Sequence, residues 1–256
     1  MKRPPRILCI GGHDPTGGAG IQADIETVTA LGCRALTLVT ALTAQDTRNI
    51  VAIRPTPAEF FTLQFETLLH DIRPDAIKIG LVGSNDLVAA IRGQLQVFDG
   101  PIVLDPVLAA GGGFDLDRTD LAGAICAHLL PLCTLATPNM AEARRLAGCE
   151  DIDQAAQAML QTGIGAVLVT GADEAGGDQV TNQLFRSGDQ PQVFTWPRLP
   201  NRYHGSGCTL ASACAARLAL GDDPASAAAA AQAFTWRALD RAAKVGADQW
   251  LPRRCP

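Results

Sequence analysis

The sequence predicts an α/β protein: a single three-layer α/β/α domain around a mostly parallel central sheet. Three observations carry this. Continuously apolar runs of strand length alternate with segments of helical periodicity along nearly the whole chain. Strands that are apolar on both faces belong to a parallel sheet covered by helices on both sides. Polar and glycine-rich residues gather just after the strands, which is where ligands of such sheets sit.

In order, the pattern predicts a strand at 6–11, a helix at 20–31, a strand at 35–42 and a helix at 57–72 with Phe60, Phe61, Phe65, Leu68 and Leu69 on one side. A strand at 76–82, a helix at 86–97 and a proline-bounded strand at 101–106 follow. Next come a helix at 119–130, a brief strand at 133–136, helices at 139–147 and 152–161, and a strand at 166–170. Segments 180–185 and 192–196 read as a hairpin pair around Gly188. Asp223-Pro224 supplies an N-cap and first-turn proline for a last Ala-rich helix ending near Gly246.

Between them lies the most unusual stretch, His204-Gly205-Ser206-Gly207-Cys208-Thr209-Leu210, which runs into an Ala-rich apolar segment lasting to Gly221. It reads as a helix buried on most sides. Gly-Ser-Gly at its start leaves the first N–H groups uncovered at the positive end of the helix dipole, a ready anion site. The same field would lower the thiol pKa of Cys208. The plainer reading is a tight turn capped by Ser206 or Thr209, with Cys208 as a small core residue.

Composition narrows the class. At 256 residues, 47% hydrophobic and 18% charged, the chain can bury a large core and is not disordered. The net charge is −5, and Lys2, Lys78 and Lys244 are its three lysines, so no basic stripe invites nucleic acid or an anionic membrane. Eight scattered cysteines without a Cys-x-x-Cys pair read as reduced thiols of a cytoplasmic protein, not as a disulfide framework or zinc site. No apolar run suits a signal peptide or a membrane span.

Gly18-Ala19-Gly20-Ile21-Gln22-Ala23 formally matches G-x-G-x-x-A, the mark of an NAD-binding oxidoreductase. Here His13-Asp14-Pro15-Thr16 separates the glycines from the strand, and no acidic residue follows at the usual distance on the next strand. G-x-x-x-x-G-K-[ST] does not occur, which sets aside a P-loop.

Four motifs in order, Gly17-Gly18-Ala19-Gly20-Ile21-Gln22-Ala23-Asp24, Thr40-Ala41-Leu42-Thr43-Ala44-Gln45-Asp46-Thr47, Thr137-Pro138-Asn139-x-x-Glu142-Ala143 and His204–Leu210, resemble the hydroxymethylpyrimidine/phosphomethylpyrimidine kinases of thiamine biosynthesis, in the ribokinase-like superfamily. The resemblance spans about residues 6 to 220. It implies ATP- and magnesium-dependent phosphorylation of 4-amino-5-hydroxymethyl-2-methylpyrimidine to the monophosphate and then the diphosphate, by a cytoplasmic homodimer. It sets the pyrimidine against Gly12, Ala19, Asp24, Thr43, Gln45, Leu81 and Val107, with Gln45 reading the amino and ring-nitrogen edge. Asn139 and Glu142 match the magnesium-holding pair; they equally fit a helix N-cap and its capping-box partner. Gly205, Ser206 and Gly207 match the anion hole, Thr170 and Gly171 the ATP side, and Cys208 the position of a catalytic base.

Asp24 alone could be a surface acid in a first helical turn. His13, His70 and His128 lack partners at ligand spacing, whereas His204 is placed to orient the anion-hole loop. Two departures stand out. Ala109-Ala110-Gly111-Gly112-Gly113 and Thr170-Gly171-Ala172-Asp173 occupy loops where relatives carry lysine. The remaining alternative within the fold is a pyridoxal kinase, which phosphorylates a similar hydroxymethyl on a six-membered ring.

Overall fold

The computed structural model describes residues 3–110, 114–115, 120–172 and 176–255. Strand β1 (Arg6–His13) leads to helix α1 (Gly20–Ala30), strands β2 (Arg34–Gln45) and β3 (Ile50–Pro55), helix α2 (Ala58–Asp71), β4 (Ala76–Ile79), α3 (Asn85–Leu95) and β5 (Ile102–Leu104). A small ribbon, β6 (Ala109–Ala110) with β7 (Phe114–Asp115), precedes α4 (Leu121–His128), β8 (Leu135–Ala136), α5 (Met140–Ala147), α6 (Ile152–Leu160) and β9 (Ala166–Thr170). The chain continues through β10 (Gln179–Arg186), β11 (Gln192–Pro197), α7 (Ser206–Ala219) and α8 (Pro224–Asp240).

Nine strands form one sheet in the order β11-β10-β9-β8-β5-β4-β1-β2-β3. The run from β2 through β1, β4, β5 and β8 to β9 is parallel, while β3 at one edge and β10 and β11 at the other are antiparallel. From β1 the chain moves to β2 on one side and returns to β4 on the other. The strand order therefore reverses at β1/β4, and their carboxyl ends frame the crevice where such sheets take ligands.

Each sheet face carries its own core. Leu8, Ile10, Ile77 and Ile79 pack with Phe61 and Phe65 of α2 on one side; Ile7, Cys9 and Val103 pack with Leu210, Ala213 and Cys214 of α7 on the other. Nine of the 14 residues of α7 are buried. Alanine has no rotamer freedom to lose, so this helix can press closely on α1, α8, β1, β4 and β5. That fixes its N-terminus at the crevice.

The structure departs from the sequence reading at several places, the unanticipated β6–β7 ribbon among them. Strand β3 was not anticipated, because Pro55 and the exposed Val51 disguise an edge strand. Its pairing (Thr43↔Ile53, Gln45↔Ile50) draws Thr43 and Gln45 out of the expected loop and into β2, where they alternate with the exposed Leu42 and Ala44. Helix α8 ends at Asp240, short of Gly246. The predicted helix start at 119, the glycines 111–113 and Asp173 lie outside the described residues.

Candidate active site

A charged cluster lies under the crevice. Lys78 on β4 and Asp24 on α1 are fully buried, and Lys78 Nζ donates to both Asp24 carboxylate oxygens at 2.9 and 3.1 Å. Ser212 Oγ of α7 donates to Asp24 Oδ1 at 2.7 Å. Asp105, just past β5 and 4% exposed, joins the same group and accepts a hydrogen bond from the Cys208 thiol. Burial alone would lower the Lys78 pKa, but Asp24, with help from Cys208 and Asp105, holds it above the usual lysine value. Burial raises Asp105 to about 6, with Lys78 opposing and Asp24 reinforcing that shift. Asp24 is therefore not the surface acid of its simplest reading. Nor does it line the cavity: its carboxylate is occupied by Lys78 and Ser212 behind the wall, against its expected place on the pyrimidine.

Helix α7 begins on this cluster. Gly205 is its N-cap in the left-handed region (φ +82°), and no side chain caps the helix, so neither Ser206 nor Thr209 plays the expected capping part. Thr209 Oγ1 donates instead to the Gly205 carbonyl at 2.7 Å. A side chain at Gly205 would run into the Gly18 carbonyl, and one at Gly20 (φ +60°) into the Gly12 carbonyl. Two glycine-rich segments, 190 residues apart in sequence, thus meet backbone to backbone. His204 Nε2 and Asp14 Oδ2, 2.9 Å apart, bind them together. Asp14 also accepts from the Ala19 N–H at 2.7 Å and from Thr16. Burial would raise Asp14, but the bonds from His204 and Thr16 outweigh it and hold the carboxyl at about 2. The His13–Thr16 insert is thus built around a carboxylate cap, not the tight turn that a dinucleotide fingerprint requires.

The Cys208 thiol is pushed up to about 12 by burial first, against the opposing charge of Lys78, with Asp105 and Asp24 adding to the rise. This reverses the sequence expectation of a lowered pKa. The helix-end field acts on Cys208, yet two carboxylates and exclusion of water act more strongly. Cys208 is thus a neutral donor to Asp105 at neutral pH.

Above the cluster opens a cavity of about 910 Å³. Gly12, Ala19, Thr43, Gln45, Leu81 and Val107, six of the seven residues that the resemblance sets against the pyrimidine, line one end. Gly12 lets the Leu81 side chain come close, since a Cβ there would lie 2.6 Å from Leu81 Cδ2. Gly205, Ser206, Gly207 and Cys208 line the middle. Asn139, Glu142 and Thr170 line the far part, but Gly171 does not; its N–H donates to Asn182 Oδ1 and its α-carbon is pressed against the Thr181 carbonyl. Beyond them Gln232 accepts from Asn182 Nδ2 (2.8 Å) and Trp196 Nε1 (3.1 Å), beside stacked Trp196 and Trp236.

Asn139 and Glu142 do form the reciprocal capping box of α5: Asn139 Oδ1 accepts from the Glu142 N–H (2.8 Å), and Glu142 Oε2 from the Asn139 N–H (2.9 Å). Beside them the Thr137 hydroxyl is buried without a partner. Among the described residues no three His, Cys, Asp or Glu side chains converge to hold a metal. Carboxylate, amide and hydroxyl oxygens of Glu142, Asn139 and Thr137 on the cavity lining nevertheless suit magnesium, which binds through one or two protein carboxylates plus substrate phosphates.

Sequence reasoning missed Lys78 and the role of Asp105. One signal was available: a lone lysine inside a fully apolar strand must find a buried partner. The partner's identity was not legible.

A family model described as "Phosphomethylpyrimidine kinase" matches residues 14–252. The hydroxymethylpyrimidine/phosphomethylpyrimidine kinase of Rhizobium meliloti is 39% identical over 249 residues, covering 94% of this chain and 93% of its own. The pyridoxal kinase from Staphylococcus aureus in complex with pyridoxal superposes with a TM-score of 0.91 at 29% identity, covering 99% of this chain and 95% of that one; its complex with AMP-PCP and pyridoxal gives 0.88. A phosphomethylpyrimidine kinase from Clostridium difficile gives a TM-score of 0.78 at 30% identity, covering 91% and 98%.

Proposed function

The chain belongs to the phosphomethylpyrimidine kinase family, and from that premise we propose that it transfers the γ-phosphoryl of ATP to the hydroxymethyl of 4-amino-5-hydroxymethyl-2-methylpyrimidine, and then to the resulting phosphate. The observation that carries this is the meeting of Gln45, the open α7 N-terminus and the Cys208–Asp105 pair in one cavity.

Phosphoryl transfer asks the protein for in-line positioning, stabilisation of spreading charge and a destination for the hydroxyl proton. Gln45 with Thr43 orients the ring. The uncovered N–H groups of Ser206, Gly207 and Cys208 receive the transferring phosphoryl oxygens at the positive end of α7. As the substrate oxygen bonds to the γ-phosphorus and the bond to the ADP oxygen opposite breaks, releasing ADP, the hydroxyl proton passes to the Cys208 sulfur while the thiol proton passes to the Asp105 carboxylate. Protein charge is neutral at Cys208, which suits a second substrate that already carries a phosphate. Arg198 and Arg202 line the ATP part of the cavity, where the loops lack lysine. Trp236, Leu239 and Thr235 offer the apolar wall for a nucleobase. Magnesium, held by Asn139 and Glu142, would neutralise phosphate charge when bound. Homodimeric assembly and a cytoplasmic location belong to the same reading; among the described residues no helix is long and apolar enough to cross a membrane.

Gln45→Ala should raise the KM for the pyrimidine, with a loss on the order of 1–3 kcal/mol for ring atoms left unpaired. Steady-state kinetics on the pyrimidine and on pyridoxal test both the variant and the reading. A wild-type kcat/KM that favours pyridoxal would turn the assignment towards the pyridoxal kinases that share the fold.

Glu142→Gln should raise the magnesium concentration needed for half-maximal rate and lower kcat, with pyrimidine affinity nearly unchanged. The capping bond survives in glutamine. An unchanged magnesium titration would leave Glu142 as a helix cap alone.

A further inference from the structure

We propose that Arg254, near the C-terminus, is a positioning residue that sets the anion hole of α7 for phosphoryl transfer; this rests on the kinase reading above. Its side chain is 1% exposed and does not line the cavity, so it acts only through its neighbours. Nε donates to Thr209 Oγ1 at 2.8 Å, Nη1 to Glu26 Oε2 on α1 at 3.0 Å, and Nη2 to the Gly18 carbonyl. One guanidinium thus joins the first turn of α7, the glycine-rich loop and α1.

The consequence falls on two peptides. Thr209 passes the link on, since its hydroxyl and its N–H both go to the Gly205 carbonyl, at 2.7 and 3.0 Å. In a trans peptide the N–H points opposite to the carbonyl. With the Gly205 carbonyl turned towards Thr209, the Ser206 N–H is directed the other way, on the cavity side. The Gly18 carbonyl, which touches the α-carbon of Gly205, is likewise held by Arg254, and the Ala19 N–H on the same peptide goes to Asp14. Three acceptors in fixed directions suit the planar fork of arginine, and lysine does not reproduce it.

The segment that carries Arg254 also grips the pyrimidine side. The Gln249 N–H donates to the Thr47 carbonyl (3.2 Å), the Trp250 N–H to Arg202 (2.8 Å), and the His204 N–H to the Trp250 carbonyl (3.0 Å). Residues 246–254 therefore strap the Gln45–Thr47 end of the cavity to the anion hole.

The test compares Arg254→Met with wild type in phosphoryl transfer and in hydrogen exchange read by mass spectrometry. Loss of the link should lower kcat roughly 10–100-fold and leave the pyrimidine KM within about twofold, because misplacement of the hole affects transfer and not ring binding. Added guanidinium ion should restore part of kcat, which a general loss of stability would not show. Amides 204–209 should exchange faster while those of 211–219 hold. A folded Arg254→Met enzyme with wild-type kcat would overturn the proposal, as would unchanged exchange at 204–209. If Arg254→Met does not fold, Thr209→Val removes the Nε link together with the hydroxyl bond to the Gly205 carbonyl through which it acts; lowered kcat supports the proposal and unchanged kcat overturns it. A wild-type protein that does not phosphorylate the pyrimidine would remove the kinase reading, with the exchange experiment still deciding the link.

Discussion

Asp105→Asn and Cys208→Ala should each lower kcat by about 10²–10⁴-fold, the range for loss of a positioned proton acceptor. Both variants should keep the fold: Asp105→Asn leaves Lys78 paired to Asp24, and Cys208→Ala leaves the helix start intact. The pH profile separates them from merely structural variants. Asp105 must be ionised to receive the thiol proton, and its pKa is about 6. Wild-type kcat should therefore rise as pH increases through about 6 and level off above it. Asp105→Asn should lose this limb, leaving a low rate that is flat with pH. Rapid-quench or coupled-assay kinetics across that range would show it. A full-activity Cys208→Ala enzyme would mean that the proton leaves by another route, directly to Asp105 or to water.

The second large effect is on stability. Lys78→Met should destabilise the protein by about 3–5 kcal/mol, because Asp24 and Asp105 are left buried without their cation. Urea unfolding followed by circular dichroism measures it, and adding Asp24→Asn to Lys78→Met should recover a good part of the loss. A change below about 1 kcal/mol would mean that water or neighbouring dipoles already solvate the two carboxylates. The buried pair holds Asp105 behind Cys208 and ties β4 to α1 and, through Ser212, to α7. Its value in the proposed mechanism lies in placing the Cys208–Asp105 pair, not in net stabilisation.

What could be read from the chain, and what could not, divides along sequence distance. Local signals carried far: the capping box Asn139/Glu142, the Asp223-Pro224 helix start and the apolar runs of β1, β4 and β9 all stand where periodicity and capping rules put them. The Gly205 helix start was legible because Gly-Ser-Gly before an Ala-rich run has few other uses. The parts that escaped depend on partners far away in the sequence. Asp24 was taken for a substrate contact, yet Lys78 and Ser212 claim it from 54 and 188 residues away. The lowered thiol pKa expected at Cys208 followed from the helix end alone, and burial under the fold, with Asp105 delivered by another strand adding to it, reverses it. Strand β3 escaped for a different reason. An edge strand with one solvated face lacks the continuous apolar run of its parallel neighbours.

The most direct test of the central claim is a ³¹P NMR time course of the purified protein with ATP, magnesium and the hydroxymethylpyrimidine. The account predicts a phosphomonoester resonance of the pyrimidine that grows as ADP forms, then gives way to the pyrimidine diphosphate. ATP left intact, or hydrolysed to ADP and inorganic phosphate with no phosphorylated pyrimidine, would contradict it.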